Sequence, residues 1–430
     1  MVPAARVAAA IEVLAEIETR RRPAADALKD WGLARRFAGS GDRAAIASLV
    51  YDALRRKASS AWIMGEASPR AEVLGALKQL RGLSEPEIAA LFTGVGHAPA
   101  PLAEAERERL RLGDLAGAPA HVQGDYPQWL APAFAESFGE MALEEGRALA
   151  NRAPVDLRVN ALKSDRDHAL AALAHLAPVP TPFSPIGLRI AIRGDGRGPV
   201  LGAEPAYVKG LVEVQDEGSQ LAALLSGAEP GMQALDFCAG AGGKTLALAG
   251  MMANQGQIYA SDSDGRRLAP IFERLARSGA RNVQVRAPRG AKDILADLAG
   301  RCDLVLIDAP CSGSGAWRRN PDAKWRMRPG ALEQRMKDQT ESLENAARFV
   351  RPGGRLVYVT CSLLKAENED RVAAFLASHA DFLPLEAAHL ARAAGLAPLA
   401  ERASKLGAGL RLSPYGTATD GFYIAALTRT

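Results

Sequence analysis

The chain has 430 residues, 48% of them hydrophobic and 24% charged, and a formal net charge of +4. This is ordinary globular composition with room for two or three domains. A field that weak does not by itself mark a nucleic-acid binder, so any such contact depends on where the charge is placed.

Residues 1–145 read as an all-helical domain. Val7, Ile11, Leu14 and Ile17 recur at helical spacing, as do Ile46, Leu49, Val50 and Leu54 after a Ser40-Gly41-Asp42 capping signal. The basic clusters Arg20 to Arg22 and Arg55 to Lys57 are expected to be solvated helix ends. Residues 146–228 read as a small α/β module. "VDLRVNAL" and "LRIAIRG" alternate like strands, "DHALAALAHLA" is helical, and "GLVEVQDEGSQLAALL" runs from strand into helix.

From 229 to 430 the pattern is a regular β-α-β series. The strands are "MQALDF", "GQIYASD", "NVQVRA", "CDLVLIDAP", "RLVYVTCS" and "GFYIAALTR", with a Pro-Gly-Gly turn at 352–354. Helices fall between them at "TLALAGMMA", "RRLAPIFERLARSG", "AKDILADLA", "QTESLENAARFV" and "EDRVAAFLASH". Apolar strands alternating with helices imply an α/β, Rossmann-like domain with a parallel sheet covered on both faces.

The four cysteines, Cys238, Cys302, Cys311 and Cys361, include no C-x-x-C pair, so no metal is expected. No apolar run approaches the ~18 residues of a membrane helix. The N-terminal stretch carries Glu12, Glu16 and Glu18 inside its apolar pattern, unlike a signal peptide. The expectation is a cytoplasmic monomer with reduced thiols and no membrane partner.

"LDFCAGAGGKT" ends in Gly-Lys-Thr, yet Cys238 stands where a P-loop needs its first glycine. It also fails G-x-G-x-x-G, because Thr245 holds the last place. What remains is a strand ending at Asp236, a glycine-rich turn and a helix start, followed by a second strand ending at Asp262. Backbone can approach a ligand on the turn, and Asp262 suits ribose hydroxyls. That arrangement is the one used by S-adenosylmethionine-dependent methyltransferases, with a nicotinamide enzyme as the next reading.

Asp308 and then Cys311 follow one strand, and Cys361 follows the next. Ligands in open α/β sheets sit beyond the carboxyl ends of the strands, so these residues should converge. Cys302, and with less force Cys238, read as small buried hydrophobes. Cys311 and Cys361 do not, because polar residues and tight turns surround them. A thiolate that adds to carbon 6 of cytosine makes carbon 5 nucleophilic, and Asp308 is placed to bind the ring. Asp-Ala-Pro-Cys, in place of the Asn/Asp-Pro-Pro-aromatic element of amino-methylating enzymes, points to carbon as the target.

"DFCAGAGGKT", "DAPCSGSGAWRRNPDAKWR", "VTCSLLKAENED" and "TDGFYIAALTR" together resemble the Nol/Nop/Sun family of RNA cytosine-5 methyltransferases, in its bacterial RsmB-like (Sun/Fmu) branch. "GDRAAIASLVYDALRRK" resembles the NusB-like RNA-binding helical domain of that branch. The resemblance implies methylation of RNA, with 16S ribosomal RNA as the expected substrate. A transfer RNA enzyme and an assembly factor with a degraded site are the alternatives. It further implies Cys361 as nucleophile, Cys311 as the residue that helps resolve the adduct, and Lys244 at the cofactor end. Cys238, Ala239, Gly240, Ala241, Gly242, Gly243 and Lys244 would form the cofactor turn, with Asp262 and Asp308 also holding cofactor.

Two departures stand out. The turn lacks the family's proline, and Pro288 falls where an acid near the adenine is usual, with Asp293 five residues on. Finally, "RRNPDAKWRMR" packs five basic residues and a tryptophan into eleven positions after Cys311. Arg318, Arg319, Lys324 and Arg326 are expected to meet phosphates and Trp325 to stack on a base.

Overall fold

The computed structural model describes residues 1–192, 198–290 and 293–430. These form two compact units. One comprises Met1–Arg152 and Trp317–Met327, and the other comprises the remaining described residues.

The first unit is all-helical. It opens with Pro3–Arg20, Ala24–Ala34, Ser40–Arg55, Lys57–Met64 and Pro69–Arg81, and its last helix is Ala142–Leu149 before residue 152. Proline at the start of the first helix sits where its missing N–H costs nothing. Val7, Leu14, Ile17, Ile46, Val50 and Leu54 enter the core, each such burial contributing about 1.5–3 kcal/mol before entropy. Ile11 and Leu49 pack only partly against that core.

Arg20 and Arg21 are exposed as expected. Arg55 and Lys57 are not solvated helix ends. Arg55 is buried and donates to Arg318 O at 2.8 Å, and Lys57 pairs with the buried Glu72 at 2.5 Å.

The second unit holds two sheets. The smaller contains β1 (Val155–Val159), β2 (Val179–Pro180), β3 (Gly187–Ile190) and β4 (Val212–Val214), antiparallel in the order β2-β3-β1-β4. The end of "LRIAIRG", from Arg193, lies outside the described residues.

The larger sheet is built from β5 (Gln233–Asp236), β6 (Gln257–Ser261), β7 (Val283–Arg286), β8 (Cys302–Asp308), β9 (Val350–Thr360), β10 (Phe382–Pro384), β11 (Leu410–Leu412) and β12 (Phe422–Arg429). Its order is β10-β12-β9-β8-β5-β6-β7, with β11 also on β12. Pairs from β9 to β7 are parallel. β12 is antiparallel to β9, β10 and β11, so the sheet is mixed where a parallel one was expected. Strands β10 and β11 are three residues each, too short for a periodic signal in the sequence.

Other departures are local. Pro270 splits "RRLAPIFERLARSG" into Gly265–Leu268 and Ile271–Ser278, because it has no N–H for the ladder. The Pro-Gly-Gly at 352–354 is absorbed into β9, with Gly353 at φ +72°. Of the helix expected at "AKDILADLA", a 3-10 turn at Ala296–Leu298 is present, and Ala291 and Lys292 lie outside the described residues. Among the described residues, no helix is long and apolar enough to cross a membrane.

Candidate active site

The carboxyl ends of β5, β6, β8 and β9 gather most of the residues singled out in the sequence. At β5, Asp236 is fully buried, and Thr245 Oγ1 donates to its Oδ2 at 2.6 Å. Its Oδ1 is buried with no hydrogen-bond partner. Burial pushes its carboxyl up to about 7.

The turn that follows is strongly bent. Gly242 has φ +82°, and a Cβ there would lie 2.4 Å from Ile271 Cγ1, so only glycine fits. Gly240 N donates to Asp262 Oδ2 at 3.0 Å, which ties the turn to the end of β6. Asp262 Oδ1 accepts from Asp264 N at 2.9 Å, and Arg267 stands 3.5 Å from Oδ2. Ala239 is buried, and Cys238 is half-buried, its thiol pushed up chiefly by desolvation. Cys302 is fully buried in β8, as read from the sequence.

Lys244, one residue into the helix Gly243–Met251, is buried. It donates to Asp308 Oδ2 at 2.7 Å and lies 5.2 Å from the centre of the Phe422 ring. Asp308 keeps a side-chain exposure of 35%. A second group pins the turn from outside. Arg274 donates to Ala241 O at 2.9 Å, and Glu213 of β4 holds both Arg274 and Arg277.

A cleft of about 500 Å³ opens beside Asp262. Phe237, Pro288, Ile294 and Pro310 give it an apolar part, and Asp262, Arg267, Arg335, Asp338 and Glu341 a charged one. Asp293 is not among its lining residues. Its carboxylate pairs with Arg348 at 2.9 Å and accepts from Leu295 N.

The residues present fit S-adenosylmethionine. The glycine turn and the unpartnered Asp236 Oδ1 suit its polar amino acid end, Asp262 its ribose, and the apolar part of the cleft its flat base. Among the described residues, no His/Cys/Asp/Glu cluster could hold a metal ion.

Cys311 and Cys361 come together. Their sulfurs are 3.3 Å apart, and both side chains are half-buried free thiols. The parallel register of β8 and β9 sets Asp308 opposite Val359, so the two loops leave the sheet side by side. Gly315 N donates to Cys361 O at 2.9 Å, and Gly421 N donates to Gly315 O at 2.9 Å. A Cβ on Gly315 would lie 2.2 Å from Gly421 O, so glycine is required for this close approach. The Cys311 thiol is raised well above its ordinary range, first by its hydrogen bond with Cys361 and then by burial.

The basic stretch behaves differently from its reading as an RNA platform. Trp317–Met327 belongs to the helical unit. Lys324 is fully buried and donates to Asp125 O at 2.5 Å, with its ammonium lowered to about 7 by desolvation. Arg318 is also buried, and Trp325 is half-buried with Nε1 donating to Leu54 O at 2.7 Å. Buried Lys324 and Arg318 are not presented to a phosphate, and Trp325 anchors the segment. Arg319 is half-buried, and Arg326 is exposed and pairs with Asp322 at 3.0 Å.

Sequence reasoning missed Arg274, Glu213 and Glu367. The first two sit in ordinary amphipathic segments, and the third in a charged run that reads as solvated.

Known proteins place this arrangement. Residues 223–428 match a family described as 16S rRNA methyltransferase RsmB/F, and residues 126–195 match the RsmF/B-like ferredoxin-like domain. The chain is 32% identical over 327 residues to the probable ribosomal RNA small subunit methyltransferase B of Synechocystis sp., covering 75% of this chain and 69% of the relative. It is 32% identical over 369 residues to ribosomal RNA small subunit methyltransferase B of Sodalis glossinidius, covering 84% and 77%. The fold is similar to that of NSun6 from Pyrococcus horikoshii, solved with SFG, at a TM-score of 0.60 and 22% identity over 71% of this chain and 98% of that one. On this sequence match, over a cleft and turn suited to S-adenosylmethionine, the chain belongs to the RsmB/F family of S-adenosylmethionine-dependent RNA methyltransferases.

Proposed function

We propose that the protein methylates carbon 5 of a cytosine in RNA, most specifically small-subunit ribosomal RNA, through a covalent bond from Cys361 to carbon 6. The observation that carries the reading is the 3.3 Å approach of Cys311 and Cys361, on loops that leave the same sheet edge as Asp308 and the glycine turn. The names of the relatives support ribosomal RNA as substrate.

When bound, the cofactor supplies an electrophilic methyl group. Cys361 adds as a thiolate to carbon 6, forming a C–S bond, and the carbon 5–carbon 6 electron pair becomes nucleophilic at carbon 5. Asp308, steadied by Lys244 but still partly exposed, hydrogen-bonds the ring edge and favours addition. After carbon 5 is methylated it loses its proton to a base, the C–S bond breaks, and the thiolate returns to Cys361. Cys311, which keeps its proton at neutral pH, is the partner of that sulfur during release. The target base must leave its stack to reach a half-buried thiol. Within the basic stretch, Arg319 and Arg326 remain our candidates for phosphate contact.

Tritium transfer from labelled S-adenosylmethionine to ribosomal RNA tests the reading. Cys361→Ala should lose at least ~1,000-fold in rate, the scale of removing a covalent nucleophile. Retention of full activity would refute it. Cys311→Ala should accumulate a protein–RNA adduct visible as a shifted band on a denaturing gel.

A further inference from the structure

We propose that Glu367 is the positioning residue that holds both cysteine loops in register and sets a carboxylate beside Cys311; this rests on the cysteine chemistry proposed above.

Glu367 ends the 3-10 turn Lys365–Glu367 and is fully buried. Its Oε1 accepts from Ser312 N at 2.8 Å and from Gln339 Nε2 at 2.9 Å. Its Oε2 accepts from the hydroxyls of Ser312 and Ser362. Ser312 directly follows Cys311, and Ser362 directly follows Cys361. One carboxylate therefore grips the residue after each sulfur.

The grip is braced from two further sides. Gln339 Nε2 also donates to Pro310 O at 3.0 Å, on the other flank of Cys311, and Tyr358 OH donates to Glu367 O at 2.7 Å. Four donors converge on two oxygens: two N–H groups, which only donate, on Oε1, and two hydroxyls on Oε2. In Glu367→Gln the amide oxygen can keep the two N–H donors while its NH₂ donates to the two hydroxyls, so the variant removes the charge and leaves the hold. A buried carboxylate is costly unless such donors surround it, so apolar packing would have been a cheaper way to hold two loops.

A negative group at this position also acts on the sulfur. The titratable groups that face Cys311 are Cys361, Glu367 and Tyr358. The hydrogen bond with Cys361 and burial hold the proton on Cys311 first, and the carboxylate of Glu367 adds to them by disfavouring negative charge on that sulfur. Glu367 does this without touching substrate.

The test uses the full chain. Iodoacetamide labelling of Cys311 is followed by peptide mass spectrometry across about pH 6 to 10, spanning the ordinary thiol range, with methyl transfer to RNA measured in parallel. In Glu367→Gln the labelling midpoint of Cys311, high in the unaltered protein, should fall into this window, because the charge is lost while the hydrogen bonds can be kept. In Glu367→Asp the midpoint should stay high, because charge is kept, while transfer drops because the shorter side chain cannot span both serines.

An unchanged Cys311 midpoint in folded Glu367→Gln overturns the proposal, as does full transfer by Glu367→Asp. If circular dichroism shows Glu367→Gln unfolded, the aspartate variant decides alone. Labelling needs neither RNA nor cofactor. A Cys361→Ala protein that still methylates would therefore sink the nucleophile assignment while leaving the midpoint to judge the hold of Glu367 on Cys311.

Discussion

Two neighbouring pieces of sequence meet opposite fates. The loops after β8 and β9 end with two half-buried thiols 3.3 Å apart and a partly exposed Asp308. The very next segment, Trp317–Met327, directs Lys324 and Trp325 onto backbone carbonyls inside the helical unit. Both segments are polar and rich in reactive groups. The difference lies in what satisfies those groups. A basic run is a nucleic-acid surface only if its donors remain available, and here the protein's own carbonyls take two of them. Adjacency to a site in sequence therefore carried less weight than burial.

That contrast can be broken or sharpened by substitution. The largest stability effect is expected from Trp317→Ala. Trp317 is 1% exposed and its ring centre is 6.2 Å from that of Phe134. Its loss should cost about 3–5 kcal/mol in denaturant unfolding, the range for a core aromatic.

Next comes a pH effect at Asp236. Its folded value of about 7 lies above the unfolded value of about 3.9, so its contribution is fully present below about pH 4 and is lost as pH rises through about 7. Asp236→Asn should flatten that loss, worth about 2–4 kcal/mol at most. Glu72, raised to about 7 by burial in the other unit, leaves its own share of the slope in thermal melts at graded pH.

Arg274→Ala removes the charge-assisted bond to Ala241 O. It should weaken cofactor binding by about 1.5–3 kcal/mol, or roughly 10- to 150-fold, read by calorimetry with S-adenosylmethionine.

The smallest effect is a deliberate near-zero. Lys324→Met should leave the salt dependence of RNA binding unchanged, whereas loss of a phosphate contact would reduce the slope by about 0.7–0.9. The same variant should lose a stability gain between about pH 7 and 10, because a lysine lowered to about 7 sheds its buried charge in the folded state while the unfolded chain still holds its proton.

Much of this site was legible in the chain alone. A strand ending at Asp236, a turn with Gly240 and Gly242 and a second strand ending at Asp262 form a local pattern, and local patterns survive without knowledge of neighbours. Cys311 and Cys361 lie 50 positions apart, yet their convergence followed from parallel strands sharing one carboxyl edge. The mixed sheet was not legible. Strands β10 and β11 offer three residues each, and an antiparallel return by β12 leaves no mark in its own apolar run.

The sequence by itself determined which residues are available: a glycine-rich turn, an acid at the end of β8, and a cysteine after each of two successive strands. Tertiary structure alone decided which polar residues are buried beside them. Glu367 in "KAENED" and Lys324 in "RRNPDAKWRMR" look equally solvated on paper. Packing removed both from water and set one beside the sulfurs and the other beside a backbone carbonyl, because desolvation and hydrogen-bond satisfaction depend on neighbours distant in the chain.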